Sequence, residues 1–252
     1  MYPEIDLGPL TIQTFGLMTA LAFIVAGAIV AHRLRELGVP GDWAYELVLA
    51  GAAGGLLGAK LWYAVQLGDW SLDQLLSGSG LVWYGGALGG AGAVCLYAKW
   101  RGMLNFTLFD MCAPALAAGY AIGRIGCQLS GDGDYGKATD AWWGMAYPDG
   151  TVPTPPGVNV YPTPVVETVS MAIVAYVLWR LRDRFRPGVL FGWYLVASSV
   201  ERFLIEFLRR NEIVAAGLTL AQIVSVALVA IGVAMIAVLR GGAPRRAQLL
   251  SG

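Results

Sequence analysis

Apolar residues in this chain gather into long runs near 14–31, 43–67, 81–98, 106–123, 163–180, 188–208 and 218–239. Crossing the hydrocarbon core of a bilayer takes about 20 mostly apolar residues in helical form. The pattern predicts an all-α fold, a polytopic bundle of about seven transmembrane helices. The run 188–208 is the least uniform, with Glu201, Arg202 and Glu206 in its second half. Segment 131–162 is rich in Gly, Pro, Asp and aromatics and has no apolar period, so a structured loop lying at the membrane surface is expected there. No internal repeat is evident, and residues 1–252 read as a single membrane-embedded domain.

Composition strengthens this picture. Of 252 residues, 57% are hydrophobic and 13% charged, with mean hydropathy +0.60. Soluble domains carry roughly 25% charged residues, so this chain has about half the usual means of facing water. Net charge is zero, which gives no basic field for nucleic acid. Cys95, Cys112 and Cys127 form no CxxC pair, and a single His32 excludes a histidine-built metal site. The opening residues lack a basic segment and a small-residue cleavage site, so the first run is expected to persist as a helix.

Charge placement gives an orientation. Arg33, Arg35, Lys99, Arg101, Arg180, Arg182, Arg184, Arg186, Arg240, Arg245 and Arg246 all follow odd-numbered runs. Glu4, Asp6, Asp69, Asp73, Asp132, Asp134, Asp140 and Asp149 lie in the alternate loops. The positive-inside rule then sets the N-terminus outside and the C-terminus in the cytoplasm. Trp62, Trp70, Trp83, Trp142, Trp143 and Tyr161 near outer ends, with Trp100 and Trp179 near inner ends, fit interfacial aromatic belts.

Lys60, Asp110, Arg124, Glu167, Glu201, Arg202 and Glu206 fall within or at the edges of runs. Each mid-bilayer charge costs about 2.5–3.5 kcal/mol even on the lenient scale, so each needs a partner or a purpose. For Lys60 and Asp110, pairing that fixes helix register is one reading. Arg124 is placed at an outer helix end before a Gly-rich turn, and Arg202, Glu206 and Arg209 share a helix face by their i, i+4, i+7 spacing. Guanidiniums bind phosphate bidentately, so two arginine-bearing helices would make a cradle for an anionic lipid; simple snorkelling to water is the alternative. Glycines four apart (Gly51/Gly55, Gly54/Gly58, Gly85/Gly89, Gly86/Gly90) serve helix packing, or, at Gly85 and Gly86, leave room for a lipid head group. Asp132 and Asp134 either hold a divalent cation or cap the turn and pair with Arg124.

Six segments together resemble the prolipoprotein diacylglyceryl transferase family. GRIGCQLSGDGDYG at 123–136 is similar to its Gly-Arg-x-Gly signature, and YPTPVVE at 161–167 to its His-Pro-x-x-x-x-Glu entry. ERFLIEFLRR at 201–210 resembles its Arg-Phe-x-x-Glu-Phe-x-Arg helix. LTLAQIVS at 218–225, LVWYGGALGG at 81–90 and TFGLM at 14–18 complete the series in the family's order. The resemblance implies a multi-pass protein of the bacterial cytoplasmic membrane. It implies transfer of the diacylglyceryl group of phosphatidylglycerol to the lipobox cysteine thiol of an exported prolipoprotein, with glycerol 1-phosphate released. No cofactor is called for. By position, the essential arginines fall on Arg124 and Arg202, with Arg209 a further candidate, and Glu167, Glu206, Gly136 and Gln222 occupy motif positions.

Several family positions differ. Tyr84 stands where the family has His before Gly-Gly, Phe15 where it has Tyr, Cys127 where it has Asn, and Tyr161 where it has His before Pro. His32 falls on the other side of the membrane, so no histidine general base is in place. Arg124 and Arg202 are expected to stabilise charge on a leaving phosphate, and Tyr84 to orient the thiol or the phosphate. Cys127, Gly85 and Gly86 join the expected substrate contacts. The rival readings are a phosphatidylglycerol-binding paralogue without transferase activity and a small transporter.

Overall fold

The computed structural model describes residues 1–6, 8–9, 11–68, 70–71, 82–241 and 249. Asp69, Asp73, Leu81, Arg245 and Arg246, invoked above, lie outside them. Seven helices occur among the described residues: α1 (Thr14–Glu36), α2 (Trp43–Leu67), α3 (Trp83–Trp100), α4 (Phe106–Ser130), α5 (Thr163–Leu181), α6 (Val189–Ile205) and α7 (Leu220–Leu239). Five of these, α1, α2, α4, α5 and α7, are long and apolar enough to cross a membrane. Helices α3 and α6 are shorter, at 18 and 17 residues. Large apolar side chains such as Ile24, Leu49, Leu96, Ile173 and Val238 stand exposed on the helices, as lipid-facing residues must. The chain is a multi-pass membrane protein.

Two small antiparallel hairpins lie outside the helical pattern that the sequence predicts. Strands β1 (Glu4–Asp6) and β2 (Thr11–Gln13) pair ahead of α1. Strands β3 (Ile213–Ala215) and β4 (Leu218–Thr219) pair just before α7. At two or three residues each, they are too short to leave a period in the sequence.

The described residues fall into two compact units, one within Met1–Ala26 and Phe109–Ala247, the other within Gly27–Leu108 and Gln248–Gly252. In the second unit α2 packs on α3 through glycines. A Cβ on Gly58 would lie 2.2 Å from the Gly85 carbonyl oxygen, and one on Gly89 2.3 Å from that of Gly54. Backbones this close gain dispersion contact along their length, which drives association where apolar burial cannot. The space beside Gly85 is filled by α2, so the head-group niche expected there is not formed and Gly85 serves packing; a Cβ on Gly86 would lie 3.5 Å from the Gly55 carbonyl oxygen, an ordinary contact.

In the first unit, an alanine stripe on α4 (Ala113, Ala117, Ala121) meets Met171 and Leu178 of α5 and Leu190 of α6. Asp110 tethers the start of α6: its carboxylate accepts the backbone N–H groups of Gly188 at 2.8 Å and Phe191 at 2.7 Å. An acidic side chain there satisfies donors the helix itself cannot. Gln222 and Thr219 form a reciprocal capping box on α7, and the Gln222 amide also donates to the Phe203 carbonyl at 3.5 Å. Gln222, expected among the substrate contacts, is thus committed to starting α7 and joining it to α6.

Replacing Gly58 with Val should lower unfolding stability in detergent by about 1–3 kcal/mol, the usual cost of overpacking. Gly92→Ala, where an added Cβ meets nothing within 4 Å, should leave the midpoint unchanged or slightly raised.

Candidate functional site

The first unit buries one carboxylate among three guanidiniums. Glu167, on the second turn of α5, is wholly inaccessible. Its oxygens lie 3.3 Å from Arg124 Nε, 3.3 Å from Arg202 Nη1 and 3.4 Å from Arg209 Nη1. The Tyr120 hydroxyl donates to it at 2.9 Å, and the Arg124 guanidinium lies over the Tyr120 ring at 5.1 Å. The arginines therefore converge and do not snorkel apart. A buried carboxylate without such partners would cost several kcal/mol.

Local structure supplies Arg124 and Arg209 differently from what the spacing suggests. Helix α4 does not stop at Arg124 but continues to Ser130, which puts this arginine well inside it. Helix α6 ends at Ile205, so Arg209 does not extend the face of Arg202 and Glu206. Instead it follows a turn in which its N–H donates to the Glu206 carbonyl at 3.1 Å. The i, i+4 pair survives: Arg202 Nη2 lies 2.9 Å from the Glu206 carboxylate. Asn211 donates to the same carboxylate at 2.6 Å.

Asp134 completes the cluster from the loop after α4. One of its oxygens pairs with Arg124 and the other with Arg209 Nη2 at 2.5 Å. Thr163 Oγ1 donates to the Asp134 carbonyl at 2.7 Å, fixing the loop on the start of α5. Asp132 accepts the Asp134 N–H at 3.1 Å. Gly133, at φ 92°, makes the turn between them, a conformation that other residues rarely adopt. Asp132 thus caps the turn and Asp134 pairs with Arg124. The Cys127 thiol and the two carboxylates do have ligand atoms within 4.8 Å of one another, but both Asp134 oxygens are already bonded to cations. Burial pulls the Asp134 carboxyl up, yet Arg124 and Arg209 outweigh it and hold the group below its ordinary range. Asp132 is displaced the other way, by burial first and with the Asp134 charge adding to it.

The geometry corrects the idea of a bare cationic cradle. Three arginines (Arg124, Arg202, Arg209) face three carboxylates (Asp134, Glu167, Glu206). Glu201, half-buried, accepts from Ser170 Oγ at 3.3 Å. Beside Asp134 opens a cavity of about 390 Å³ lined by Gly133, Asp134, Tyr135, Arg209, Arg210 and Asn211. Arg210 stacks on the Tyr135 ring at 4.3 Å and donates to the Gly133 carbonyl at 2.9 Å.

Cys127 belongs to the cluster, with Sγ 3.7 Å from Arg124 Nη1 and 3.6 Å from Asp134 Oδ2. Gly136 is a positioning residue and not a contact with free space: a Cβ there would lie 2.5 Å from the Leu208 carbonyl oxygen. Its N–H donates to the Tyr161 carbonyl at 2.8 Å, and together these contacts hold the loop against the segment carrying Arg209. Tyr84 lies in the second unit, on the first turn of α3, its ring edge-on to Trp83 at 5.2 Å. Sequence reasoning missed Tyr120 and Arg210. Tyr120 precedes Arg124 by one helical turn, a spacing that could have flagged it; nothing marked Arg210 apart from its neighbour.

The family model for prolipoprotein diacylglyceryl transferase matches residues 4–238. The chain is 31% identical over 231 residues to the phosphatidylglycerol–prolipoprotein diacylglyceryl transferase of Leptospira interrogans, covering 80% of this chain and 73% of that one. It is 32% identical over 253 residues to the protein of the same name from Chromohalobacter salexigens, covering 93% and 92%. With that of Clostridium tetani it shares 31% over 209 residues, 81% and 83% of the two chains.

Glu167→Gln would leave three guanidiniums around a neutral amide, and should cost about 3–5 kcal/mol of unfolding free energy. Asp132 gives a prediction with a pH sign. Its folded pKa is raised, so its ionised form detracts from stability above that pKa, and no difference remains below the unfolded value of 3.8. Asp132→Asn should therefore raise the thermal midpoint at pH 7, and the gain should vanish as pH falls below 3.8.

Proposed function

The chain belongs to the prolipoprotein diacylglyceryl transferase family, and we propose that it carries out the transfer from which that family takes its name. The donor is phosphatidylglycerol, the acceptor the lipobox cysteine of an exported prolipoprotein, and the place the bacterial cytoplasmic membrane. We read all seven helices as spans, with the N-terminus outside from the cation bias. The single observation that carries the proposal is the convergence of Arg124, Arg202 and Arg209 on one buried carboxylate, with Arg209 and Asp134 of this cluster lining an open cavity.

In this reaction the thiol sulfur bonds to the sp3 glycerol carbon as the bond from that carbon to the phosphate ester oxygen breaks. The phosphodiester carries one negative charge; the departing glycerol 1-phosphate carries two until it takes up a proton, which balances the one the thiol gives up. Charge therefore grows on the phosphate in the transition state. Guanidiniums already held in place favour that state over the bound lipid, and they need no reorganisation to do so. Glu167 keeps their geometry: with its charge buried among them, none can swing away without stranding it. A thiol of pKa about 8.5 is a few per cent thiolate at neutral pH, and adjacent cations raise that fraction. Tyr84, at the family's histidine position, is assigned an orienting role.

Purified protein incubated with phosphatidylglycerol and a lipobox peptide should yield diacylglyceryl-peptide and glycerol 1-phosphate in equal amounts. Lipid binding with no lipidated peptide would identify a non-catalytic relative. Arg124→Lys and Arg202→Lys should each lower kcat about 10²–10³-fold, the usual effect of losing one charge-stabilising donor. Tyr84→Phe should retain measurable turnover; a loss equal to that of the arginine changes would overturn its assignment.

A further inference from the structure

We propose that Asp134 is a displaceable stand-in for the lipid phosphate, a carboxylate latch that closes the anion site until phosphatidylglycerol takes its place. The inference rests on the transferase reading above and concerns how that site is filled.

Three observations carry it. First, Asp134 bridges Arg124 and Arg209, one oxygen to each. A phosphodiester offers two non-bridging oxygens of like charge and spread, and binds guanidiniums in the same two-oxygen manner. Second, the other two carboxylates of the cluster are wholly buried, whereas the Asp134 side chain is 36% exposed. It borders the cavity lined by Arg209, Arg210 and Asn211. Glu167 and Glu206 project from helix α5 and the end of α6, but Asp134 projects from a turn built on glycines 131 and 133, both at positive φ. It is the carboxylate best able to leave.

Third, the charge count favours a departure. Within the cluster three arginines already face three carboxylates, and Arg210 beside it is engaged by the Gly133 carbonyl and the Tyr135 ring, so a phosphate monoanion added between Arg124 and Arg209 would leave excess negative charge there. Such an excess is costly unless one anion moves to water. With Asp134 swung out, the phosphate inherits its two guanidiniums and the balance is kept. Arg210, free to contact an occupant of the cavity once the loop shifts from Gly133, adds a further donor.

Without an anion at the Asp134 position, Arg124 would keep Glu167 as its carboxylate, and Arg209 would keep Glu167 and the more distant Glu206. A closed form that dominates reduces apparent affinity in proportion to the open fraction. If the open form is about one in ten, Asp134→Asn should lower the KM for phosphatidylglycerol about tenfold. The same change should tighten inhibition by glycerol 1-phosphate.

The test uses the full chain in maltoside micelles. Carboxyl groups are labelled with a water-soluble carbodiimide and an amine, and Asp134 is read by peptide mass spectrometry. Measurements are made in micelles alone, with added phosphatidylglycerol, and with added inorganic phosphate. Displacement predicts that phosphatidylglycerol raises labelling of Asp134 severalfold while Glu167 stays unlabelled. A lipid that merely covers the latch would lower labelling, and that result, or no change, overturns the proposal. An increase with inorganic phosphate but not with the lipid overturns the assignment of the lipid phosphate as occupant. This measurement needs no variant. Where Asp134→Asn is folded, a KM unchanged or raised likewise sinks the latch. A wild-type protein that lipidates no peptide would overturn the underlying transferase reading instead, a result the labelling does not depend on.

Discussion

The site depends on one burial: the Glu167 carboxylate, sealed from solvent and touched by three arginines. Removing an ionised carboxylate from water is among the largest unfavourable terms a fold can contain, and only close, well-hydrogen-bonded cations offset it. Glu167 thereby dictates where α4, α5 and the end of α6 must meet. Each arginine comes from a different local structure, a helix interior, a helix terminus and a turn. Their convergence is a tertiary fact, and the alanine stripe between α4 and α5 lets it happen by bringing the backbones together.

The same constraint shapes function. A catalyst for departure of a phosphate ester needs positive charge fixed before the charge on the phosphate develops. Bare guanidiniums in a membrane protein would be both unstable and free to rearrange. Neutralising them with buried acids keeps them rigid, and leaving one acid at the edge makes the site accessible. Balanced charge within the cluster and the proposed cationic action on the substrate are thus compatible, provided one carboxylate is the exchangeable one.

Much of the architecture was legible in the sequence because lipid imposes a strong period-free signal. Helices at 43–67 and near 163–181 match the apolar runs to within a residue. The signal fails where polarity changes along a helix. The 106–123 run ends with apolarity, yet α4 continues to Ser130 since Arg124 and Cys127 turn inward to partners and not to lipid. On α6 the mismatch is reversed: Phe207 and Leu208 are apolar, but the helix stops at Ile205 and a turn presents Arg209. The arginines could be picked out because a charge in an apolar run demands explanation. Gln222 and Gly136, chosen by position in a motif, prove to be a helix cap and a close backbone contact, roles that single-letter patterns do not distinguish from ligand contact. The strands β1 to β4 depend on pairing across a turn and leave no trace in so few residues.

The account is tested most directly by an experimental structure of the full chain with phosphatidylglycerol bound. It predicts the head-group phosphate within roughly 2.7–3.2 Å of guanidinium nitrogens of Arg124 and Arg209, with Glu167 still buried beneath them. A phosphate bound elsewhere, with all the arginine–carboxylate pairs of the cluster intact, would contradict it.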